Sequence, residues 1–470
     1  MSESSVVKDF FKGKCVLLTG GTGFFGKMIV GKLLSCCEVE KIYLVVRSKK
    51  GQSPKERVEK LLEDPVFEKL FESQDKHPLA EKMHAFEGDL SKKQLGLTEC
   101  DIKIISDKVS IVFHCGAFLN MDAKLHDAVI TNVRGTSEII QISKNINDLQ
   151  AFLLISTAYS NCRERHIEEK FYKSPIDSKL LISMAEHLGP DFLNKLSTQF
   201  TGGWPNSYVY SKAVAESLLL SDDIHFPAGI FRPTIVTSTV SEPVPGWSDN
   251  LYGPLGIILY SSAGLLRLVH ADGKIKSHIV PGDMCINALL CMTWDVNTTW
   301  QKSGAIPKVY NFSAKKSKLL VPMNNFADFT KLEYINFKAA MWYQVLFLVK
   351  TKYVYNILKF LIQTVPAYLI QPLISLTGRK LSMKRVNTKL NKTVAVLSYF
   401  LINEWDIDNR HVLEVWQKLN VHDREIFRFD LNSIETETYY RNLMNGLKKY
   451  TLKENMDEDQ YHRLRVINKR

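Results

Sequence analysis

One glycine-rich stretch, CVLLTGGTGFFGKMIVGKLL at residues 15–34, constrains the fold of this chain more than any other feature. Its first five residues are mostly apolar and predict a short buried strand, and residues 24–34 have the apolar spacing of a helix. Between them, Gly20 permits a tight turn, Gly23 lets a pyrophosphate approach the backbone, and Gly26 lets the helix pack closely on the strand. The helix N-terminus adds amide donors for the phosphates. We therefore predict a dinucleotide-binding turn formed by Gly20, Thr22, Gly23, Phe24, Phe25 and Gly26.

Strand-like and helix-like segments alternate along the first two-thirds of the chain. The segments 124–146 and 208–220 have helical spacing, and they separate apolar runs that predict strands. This alternation implies an α/β fold with a doubly wound, parallel sheet of the Rossmann type. The predicted strands after the first one cover residues 41–47, 83–90, 109–117, 150–159 and 227–236.

The pattern changes near residue 335. Beyond this point the apolar stretches have helical spacing, and little of the sequence favours strands. We therefore predict two domains: a nucleotide-binding and catalytic domain of residues 1–334, and a mostly α-helical C-terminal domain of residues 335–470.

The cysteines, the histidines and the N-terminus bear on the compartment and on metal binding. None of the 8 cysteines forms a CxxC pair, and none of the 12 histidines forms an HxxxH pair, so we expect neither a disulfide framework nor a metal site. Residues 1–14 lack the apolar run of a signal peptide. These features indicate a reducing, intracellular compartment.

The net charge of +11 is concentrated in the second predicted domain, where residues 335–470 contain 22 Lys and Arg against 13 Asp and Glu. Such a basic surface favours anionic partners, which include nucleic acids, anionic lipids and phosphorylated ligands, although a merely solvated surface has the same composition. The chain has no zinc-finger, RNA-recognition or basic-zipper signature, so we do not expect nucleic acid.

A long apolar segment lies in the same domain. Its uninterrupted part, residues 360–376, has 17 residues and two prolines, just below the ~18–20 apolar residues that span a bilayer. A basic run, GRKLSMKRVNTKLNK at residues 378–392, follows it. A buried helical hairpin fits this pattern, and so does an interfacial segment that dips into lipid headgroups. The basic run favours contact of residues 342–392 with a membrane surface.

The end of the second predicted strand indicates which dinucleotide binds. A strand that serves NAD ends in Asp or Glu, which binds the ribose hydroxyls, but this strand ends VVRSKKG. Arg47 and Ser48 offer a positive charge and a donor where a 2′-phosphate would lie. Asp89, in the GDL that follows the third strand, is placed to accept a hydrogen bond from the adenine amine. The sequence therefore predicts NADPH as the cofactor.

A Tyr and a Lys four residues apart share one face of a helix. There the ammonium group can lower the pKa of the phenol, which can then donate a proton to a carbonyl oxygen. This spacing alone says little, because it occurs three times, at Tyr208/Lys212, Tyr334/Lys338 and Tyr355/Lys359.

The first of these pairs has the favourable context. Its helix follows a strand that ends LLISTAY, and ligands bind at the carboxyl edge of a doubly wound sheet. We therefore predict Tyr208 and Lys212 as catalytic residues, with Thr157 as their hydroxyl partner and Ser156 as the weaker candidate. Asn132, in the NVRGT motif, is a candidate to hold a water molecule behind Lys212.

The motifs together resemble a known family. TGGTGFFGK, VVRSKKG, GDL, NVRGT, ISTAY and YVYSK are similar to motifs of the extended short-chain dehydrogenase/reductases. Three further pieces, GWPNSYVYSKAVAE, FRPTIVTSTVSEPVPGWSDNLYGP and LSYFLINEWDIDN, resemble the alcohol-forming fatty acyl-CoA reductases of the insect type. The resemblance extends from about residue 10 to about residue 453, so it covers both predicted domains.

The resemblance implies a two-step reduction. A long-chain acyl-CoA would accept hydride from NADPH and expel CoA, and the bound aldehyde would then accept a second hydride to become a primary alcohol. Tyr208 would protonate the carbonyl oxygen, Thr157 would stabilise the same oxyanion, and Lys212 would hold the nicotinamide ribose. Arg232 and Pro233 would lie near the nicotinamide. We expect a membrane-associated location at the endoplasmic reticulum or the peroxisome.

Two other interpretations stay open. An extended dehydrogenase/reductase that acts on a sterol, another lipid carbonyl or a nucleotide sugar would share Thr157, Tyr208 and Lys212, but it gives no reason for residues 335–470. A protein that binds the cofactor without catalysis would have no need of the Tyr208/Lys212 pair, so the presence of that pair argues against it.

Overall fold

The computed structural model describes residues 4–72, 75–221, 223–303, 306–325, 345–376 and 382–454. Tyr334 and Lys338, one of the three Tyr/Lys pairs, lie outside these residues. The predicted domain boundary near residue 335 and parts of the predicted membrane segment 342–392 also lie outside them.

A parallel sheet of seven strands forms the centre of the fold. Its strands in chain order are β1 (Cys15–Thr19), β2 (Lys41–Val46), β3 (Met83–Glu87), β4 (Val109–His114), β5 (Ala151–Ile155), β6 (Ala228–Pro233) and β7 (Lys308–Phe312). Their spatial order is β7-β6-β5-β4-β1-β2-β3, so the strand order reverses between β1 and β4. In such sheets, ligands bind beyond the carboxyl ends of the strands at this switch point. The predicted α/β fold class is confirmed.

Two differences from the predicted strands have local causes. The predicted strand 150–159 ends at Ile155, because Thr157 caps a 3₁₀ turn at Ala158–Asn161. The prediction omits β7, whose five residues include a lysine and an asparagine and give only a weak apolar pattern.

The α-helices connect and flank the strands. The helices up to residue 217 are α1 (Val6–Phe11), α2 (Phe24–Cys36), α3 (Pro54–Leu61), α4 (Glu68–Phe71), α5 (Lys76–Glu81), α6 (Glu99–Lys108), α7 (Leu125–Ala128), α8 (Gly135–Lys144), α9 (Ser178–His187), α10 (Gly189–Lys195), α11 (Ser197–Phe200) and α12 (Ser207–Ser217). The later ones are α13 (Pro254–Ser262), α14 (Gly282–Ser303), α15 (Lys352–Leu358), α16 (Val365–Leu376), α17 (Met383–Ile402), α18 (Arg410–Lys418), α19 (Val421–Ile426) and α20 (Thr436–Gly446). A π-helical turn, Val129–Arg134, joins α7 to α8, so the predicted helix 124–146 is real but irregular.

The chain divides into two compact units, and each is built from three segments. The predicted domains 1–334 and 335–470 stay a prediction, and the compact units follow other limits. Unit 1 consists of Met1–Val244, Val280–Lys315 and Trp405–Leu431, and unit 2 consists of Pro245–Ile279, Lys316–Glu404 and Asn432–Arg470.

Within unit 1, the late segment 405–431 is an integral part of the architecture. Its strand Asp406–Ile407 pairs in parallel with His166–Ile167. The Trp405 indole donates a hydrogen bond to the Cys162 carbonyl oxygen (2.9 Å) and packs edge-on against Tyr159. The segment therefore packs directly on the loop that follows β5.

Within unit 2, α15 and α16 are joined by a π-helical turn, Lys359–Thr364, and this continuous helical segment packs against α17. Gln363 and Ala367 are buried in this segment, and Tyr355 is buried where its ring stacks on His270. Among the helices that the structure describes, none combines the length and the hydropathy needed to cross a bilayer.

Candidate active site

The glycine turn joins β1 to α2, and its packing excludes side chains at two positions. Gly20 has a φ of +74°, and a Cβ atom there would lie 2.7 Å from Cα of Gly116. A Cβ atom at Gly26 would lie 2.3 Å from the Gly20 carbonyl oxygen. The N-cap residue of α2 is Gly23, so no capping side chain covers the first turn of the helix. The turn therefore forms a backbone cradle that suits a pyrophosphate.

A buried histidine ties this turn to β4. The Thr19 hydroxyl lies 2.8 Å from Nδ1 of His114 and accepts a hydrogen bond from the Gly116 amide (3.0 Å). Nε2 of His114 lies 3.0 Å from the Thr136 hydroxyl, which donates its own proton to a main-chain carbonyl. Burial, reinforced by the charge of Lys212, lowers the pKa of His114 to about 3. A neutral imidazole with its proton on Nε2 satisfies all of these contacts.

The residues predicted to recognise the adenosine half of the cofactor follow β2 and β3. Nη1 of Arg47, an exposed side chain, lies 3.8 Å from Oδ2 of Asp89. Oδ1 of Asp89 accepts hydrogen bonds from the amide and the hydroxyl of Ser91 (2.9 and 2.8 Å). Burial opposes ionisation of Asp89, but Ser91 and Arg47 hold its pKa below the usual value. Ser48 donates to Glu87 (2.6 Å), so its hydroxyl is used within the protein.

A second arginine, which the sequence analysis missed, reaches the same place from α3. Nη2 of Arg57 donates to the Thr22 hydroxyl (3.1 Å) and Nη1 donates to the Arg47 carbonyl oxygen (2.5 Å). Burial and the nearby charge of Arg47 lower the pKa of Arg57. Two guanidinium groups beside the glycine turn fit a dianionic 2′-phosphate better than one. The sequence signal was Ser53-Pro-Lys-Glu56, a capping box that fixes the start of α3 and thereby the direction of Arg57.

Helix α12 carries the predicted catalytic pair. Asn206 caps it by accepting a hydrogen bond from the Val209 amide (3.0 Å), which fixes where the helix starts. Lys212 is buried, and its Nζ donates to the Ile155 carbonyl oxygen (2.9 Å) at the end of β5. Burial lowers the pKa of Lys212 to about 8, although Cys115 and Glu216 oppose this shift.

The Tyr208 phenol behaves differently from the expectation. The sequence predicts that Lys212 lowers its pKa, but burial raises that pKa, and Cys115 raises it further. The expectation was wrong because Lys212 points at a carbonyl of β5 and is itself short of solvation. Part of the Tyr208 side chain is exposed, but its phenol is largely desolvated, and the hydroxyl makes no hydrogen bond to any residue that the structure describes. The phenol is therefore protonated near neutral pH and has its proton available for a ligand.

The two hydroxyls after β5 have different surroundings. Oγ of Thr157 accepts a hydrogen bond from the Tyr159 amide (3.3 Å), which leaves its own proton for another acceptor. Ser156 donates to Oε1 of Glu216 (2.5 Å), and both residues are buried. This arrangement supports Thr157 over Ser156 as the hydroxyl partner, as the sequence indicates.

Arg232, which the resemblance places near the nicotinamide, has its guanidinium engaged within the protein. It is fully buried, and its Nε and Nη2 donate to the two carboxylate oxygens of Glu216 (3.0 and 2.6 Å). Nη1 donates to the carbonyl oxygens of Lys170 and Glu168 (3.1 and 3.4 Å). The guanidinium is thus consumed within the protein. Pro233 is the last residue of β6, at the carboxyl edge of the sheet.

The Asn132 side chain makes several contacts within the protein, and its predicted role in holding a water molecule stays a prediction. It lies in the π-helical turn, where Oδ1 accepts from the Phe118 amide (2.7 Å) and Nδ2 donates to the Phe118 carbonyl oxygen (3.2 Å). Nδ2 also donates to the Ser211 hydroxyl on α12 (2.9 Å). Asn132 therefore links the loop after β4 to the helix of Tyr208 and Lys212.

Comparisons with known proteins show which families this chain resembles. The NAD-binding domain of the male sterility protein family matches residues 18–289, and the Sterile domain of the same family matches residues 362–454. A Drosophila melanogaster protein named fatty acyl-CoA reductase wat is 36% identical over 99% of this chain and 90% of its own length. Fatty acyl-CoA reductase 1 of Homo sapiens is 33% identical over 96% of this chain and 87% of its own length.

Solved structures with the same fold are more distant in sequence. The terminal R domain from the myxalamid biosynthetic pathway has a TM-score of 0.61 at 18% identity and covers 93% of this chain and 90% of that domain. The reductase domain of a nonribosomal peptide synthetase from Mycobacterium tuberculosis has a TM-score of 0.60 at 17% identity, over 93% and 92%. At these identities the likeness concerns the fold alone.

The predicted resemblance is thus confirmed by relatives that match nearly the whole chain and by a family match to more than half of it. The chain belongs to the fatty acyl-CoA reductases, a family of oxidoreductases that use a nicotinamide cofactor.

Proposed function

We propose that this protein reduces long-chain fatty acyl-CoA to a primary fatty alcohol with NADPH and releases CoA. The observation that carries the proposal is the Tyr208 phenol, whose hydroxyl has no hydrogen-bond partner among the described residues. It lies one helical turn from Lys212, which binds the end of β5 in a nucleotide-binding sheet. The names of the relatives supply the substrate class, and they give no support to a sterol or a nucleotide sugar.

The residues of unit 1 fit NADPH at several points. The turn from Gly20 to Gly26 would hold the pyrophosphate, because only backbone fits where a Cβ atom would collide. Arg47 and Arg57 would hold the 2′-phosphate, and Lys212 would donate to the nicotinamide ribose. When bound, NADPH supplies the hydride for both reductions.

Tyr208 and Thr157 act on the oxygen of the substrate carbonyl. The raised pKa of Tyr208 keeps the phenol protonated, so it donates a proton as negative charge develops on that oxygen. The Thr157 hydroxyl donates a hydrogen bond to the same oxygen and stabilises it. In the first reduction the carbon–sulfur bond breaks, and CoA leaves as its thiol with one proton. In the second, the aldehyde oxygen takes the proton of Tyr208 and becomes the hydroxyl of the alcohol.

A surface of unit 2 supports the further proposal that the protein docks on an anionic membrane. The helical segment of α15 and α16 turns large apolar side chains to solvent, and Tyr353 and Leu369 are 76% and 70% exposed. Residues 334–403 contain ten Lys and Arg and no Asp or Glu. An apolar face within a purely basic segment suits the interface of an anionic bilayer. This apolar face consists of Tyr353, Val354, Ile357, Phe360, Leu361, Tyr368 and Leu369.

Such docking needs no helix that spans the bilayer, and it would bring the protein to the compartment where long-chain lipids collect. We propose the cytoplasmic surface of the endoplasmic reticulum or the peroxisome as that membrane. The apolar face of α15 and α16 would then contact lipid. It lies within residues 342–392, for which the sequence predicts contact with a membrane surface.

Replacement of Tyr208 by phenylalanine tests the chemistry. We expect Tyr208→Phe to lower kcat with palmitoyl-CoA by about 10²-fold or more, the size of a lost general acid. The dissociation constant of NADPH should be unchanged. NADPH oxidation, release of the CoA thiol and mass spectrometry of hexadecanol measure the reaction, and the wild type should consume two NADPH for each CoA released.

Tyr210→Phe is the matched control on the same helix. The Tyr210 hydroxyl is buried and has no hydrogen-bond partner among the described residues, so its loss should leave both kcat and NADPH binding unchanged. Equal activity of Tyr208→Phe and the wild type would reject Tyr208 as the acid. Wild-type protein that reduces a sterol ketone but no fatty acyl-CoA would overturn the proposed substrate.

NADPH affinity should depend on pH through Lys212. Because the pKa of Lys212 is about 8 in the protein, its ammonium group loses its proton as the pH rises through 8. The neutral amine is a weaker donor to the ribose, so the dissociation constant of NADPH should increase by up to about tenfold per pH unit above 8. Fluorescence titration from pH 7 to pH 10 measures this, and Lys212→Met should lack the dependence. A wild-type affinity that stays constant across this range would contradict the assignment.

Arg57 should set the preference for NADPH over NADH. We expect Arg57→Ala to weaken NADPH binding by about tenfold or more, the size of a lost charged hydrogen bond, and to leave NADH binding unchanged. Lys55→Ala, which removes an exposed cation from the same helix, should change neither constant by more than about twofold. Equal losses for both cofactors in Arg57→Ala would indicate damage to α3 rather than a lost phosphate contact.

A charge placed in the apolar face should abolish membrane docking. We expect the wild type to bind and float with vesicles that contain phosphatidylserine, and to bind them more weakly at high salt. It should not bind vesicles of pure phosphatidylcholine. Leu361→Glu should lower the vesicle affinity by about tenfold or more, because burial of one leucine contributes about 1.5–3 kcal/mol. Leu180→Glu, at a similarly exposed leucine of unit 1, is the control and should bind like the wild type. Flotation of all three proteins alike, or of none, would refute the docking face.

A further inference from the structure

A buried carboxylate lies one helical turn beyond the predicted catalytic lysine. Tyr208, Lys212 and Glu216 follow one another at intervals of four on α12, so they share one face of the helix. Glu216 is 4% exposed and accepts hydrogen bonds from Ser156 (2.5 Å) and Ser160 (2.9 Å). These two serines stand on either side of the segment that contains Thr157.

Arg232 balances the charge of this carboxylate in a fixed geometry. The guanidinium donates to both oxygens of Glu216 and to two main-chain carbonyl oxygens, and it lies over the Tyr172 ring. A bidentate pair of this kind holds both groups in one plane. The pair offsets the cost of its desolvation only when the remaining lone pairs of the carboxylate also accept hydrogen bonds. Ser156 and Ser160 donate to Oε1, and Nδ2 of Asn161 lies 3.5 Å from Oε2. The result links three elements, because Arg232 belongs to β6, Glu216 to α12, and the serines to the loop after β5.

The loop after β5 is held from both sides of Thr157. The Ser160 hydroxyl lies 2.8 Å from the Thr157 carbonyl oxygen and 2.9 Å from Oε1 of Glu216, so its one proton is shared between these two acceptors. The Ser160 amide donates to the same carbonyl (3.1 Å). Lys212 holds the chain at Ile155, two residues before Thr157. The peptide groups around Thr157 are therefore fixed to the face of α12 that carries Tyr208.

We propose that Glu216 is a positioning residue for the reduction. With Arg232 as its counter-ion, it fixes the segment from Ser156 to Ser160 on α12, so that the Thr157 hydroxyl and the Tyr208 phenol serve one carbonyl oxygen. The inference rests on the proposed function, since it gives Thr157 its role only when a carbonyl is reduced. It also explains why Arg232, at the end of a strand beside the site, spends its donors inside the protein.

A double-mutant cycle between Ser160 and Thr157 tests this role. Ser160→Ala removes the hydroxyl that joins Glu216 to the Thr157 backbone, and we expect it to lower kcat by about tenfold or more, the effect of a small misplacement. The dissociation constant of NADPH should be unchanged. In the background of Thr157→Val, which lacks the hydroxyl being positioned, Ser160→Ala should cause no further loss.

Two further variants complete the design. Glu216→Gln should lower kcat at least as much as Ser160→Ala. Because this substitution leaves the buried Arg232 without a counter-ion, the protein can fail to fold. In that case the result of Ser160→Ala decides. Ser217→Ala is the matched control, because Ser217 lies on the same helix and donates to the Val214 carbonyl rather than to Glu216. Its kcat should equal that of the wild type.

The outcomes separate this inference from the proposed function. If the wild type oxidises NADPH with palmitoyl-CoA and the losses from Ser160→Ala and Thr157→Val multiply, Ser160 and Glu216 do not act through Thr157, and the inference is overturned alone. If the wild type reduces no fatty acyl-CoA, the proposed function falls and the positioning role falls with it. Full kcat in Ser160→Ala would also overturn the inference.

Discussion

The approach of the Gly20 turn to the backbone at Gly116 is the constraint on which the candidate site depends. A Cβ atom at Gly20 would collide with Gly116, so β1 and β4 end within contact distance at the point where the strand order reverses. The Thr19 hydroxyl and the neutral His114 lock this approach with hydrogen bonds. Because the turn, the loop after β4 and the start of α8 are held together, the groups that would bind a dinucleotide have fixed places relative to α12.

Around the predicted catalytic pair, burial decides the protonation states. His114 is neutral because its pKa falls to about 3, and the Cys115 thiol keeps its proton because its pKa rises to about 12. The Tyr208 phenol is protonated for the same reason. The charge of Lys212 therefore acts beside the neutral His114, Cys115 and Tyr208, with the Glu216 carboxylate one helical turn away. In this medium of low polarity, electrostatic attraction is stronger than in water.

The sequence predicts the parts of this site that depend on local pattern. The glycine turn, the α/β class and the Tyr208/Lys212 pair follow from spacing and from the neighbouring strands. It does not predict what tertiary packing alone creates. Arg57 and Arg47 are ten residues apart, and they come into contact only because α3 folds back towards the end of β2. Arg232 on β6 pairs with Glu216 on α12. The direction of the Tyr208 pKa was missed for a related reason, since helical spacing indicates the neighbour of a group but not its loss of solvent.

The return of residues 405–431 to the sheet has a consequence for how this chain can be cut or shortened. Trp405, Asp406 and their neighbours bind the loop that carries Tyr159 and Cys162, close in sequence to Thr157. A truncation after residue 334, at the change in sequence pattern, would remove residues 405–431, which are part of unit 1. It would therefore not leave a complete reductase domain. The segments of the two compact units alternate along the polypeptide, so neither unit is one continuous stretch of sequence that could be transferred as a module.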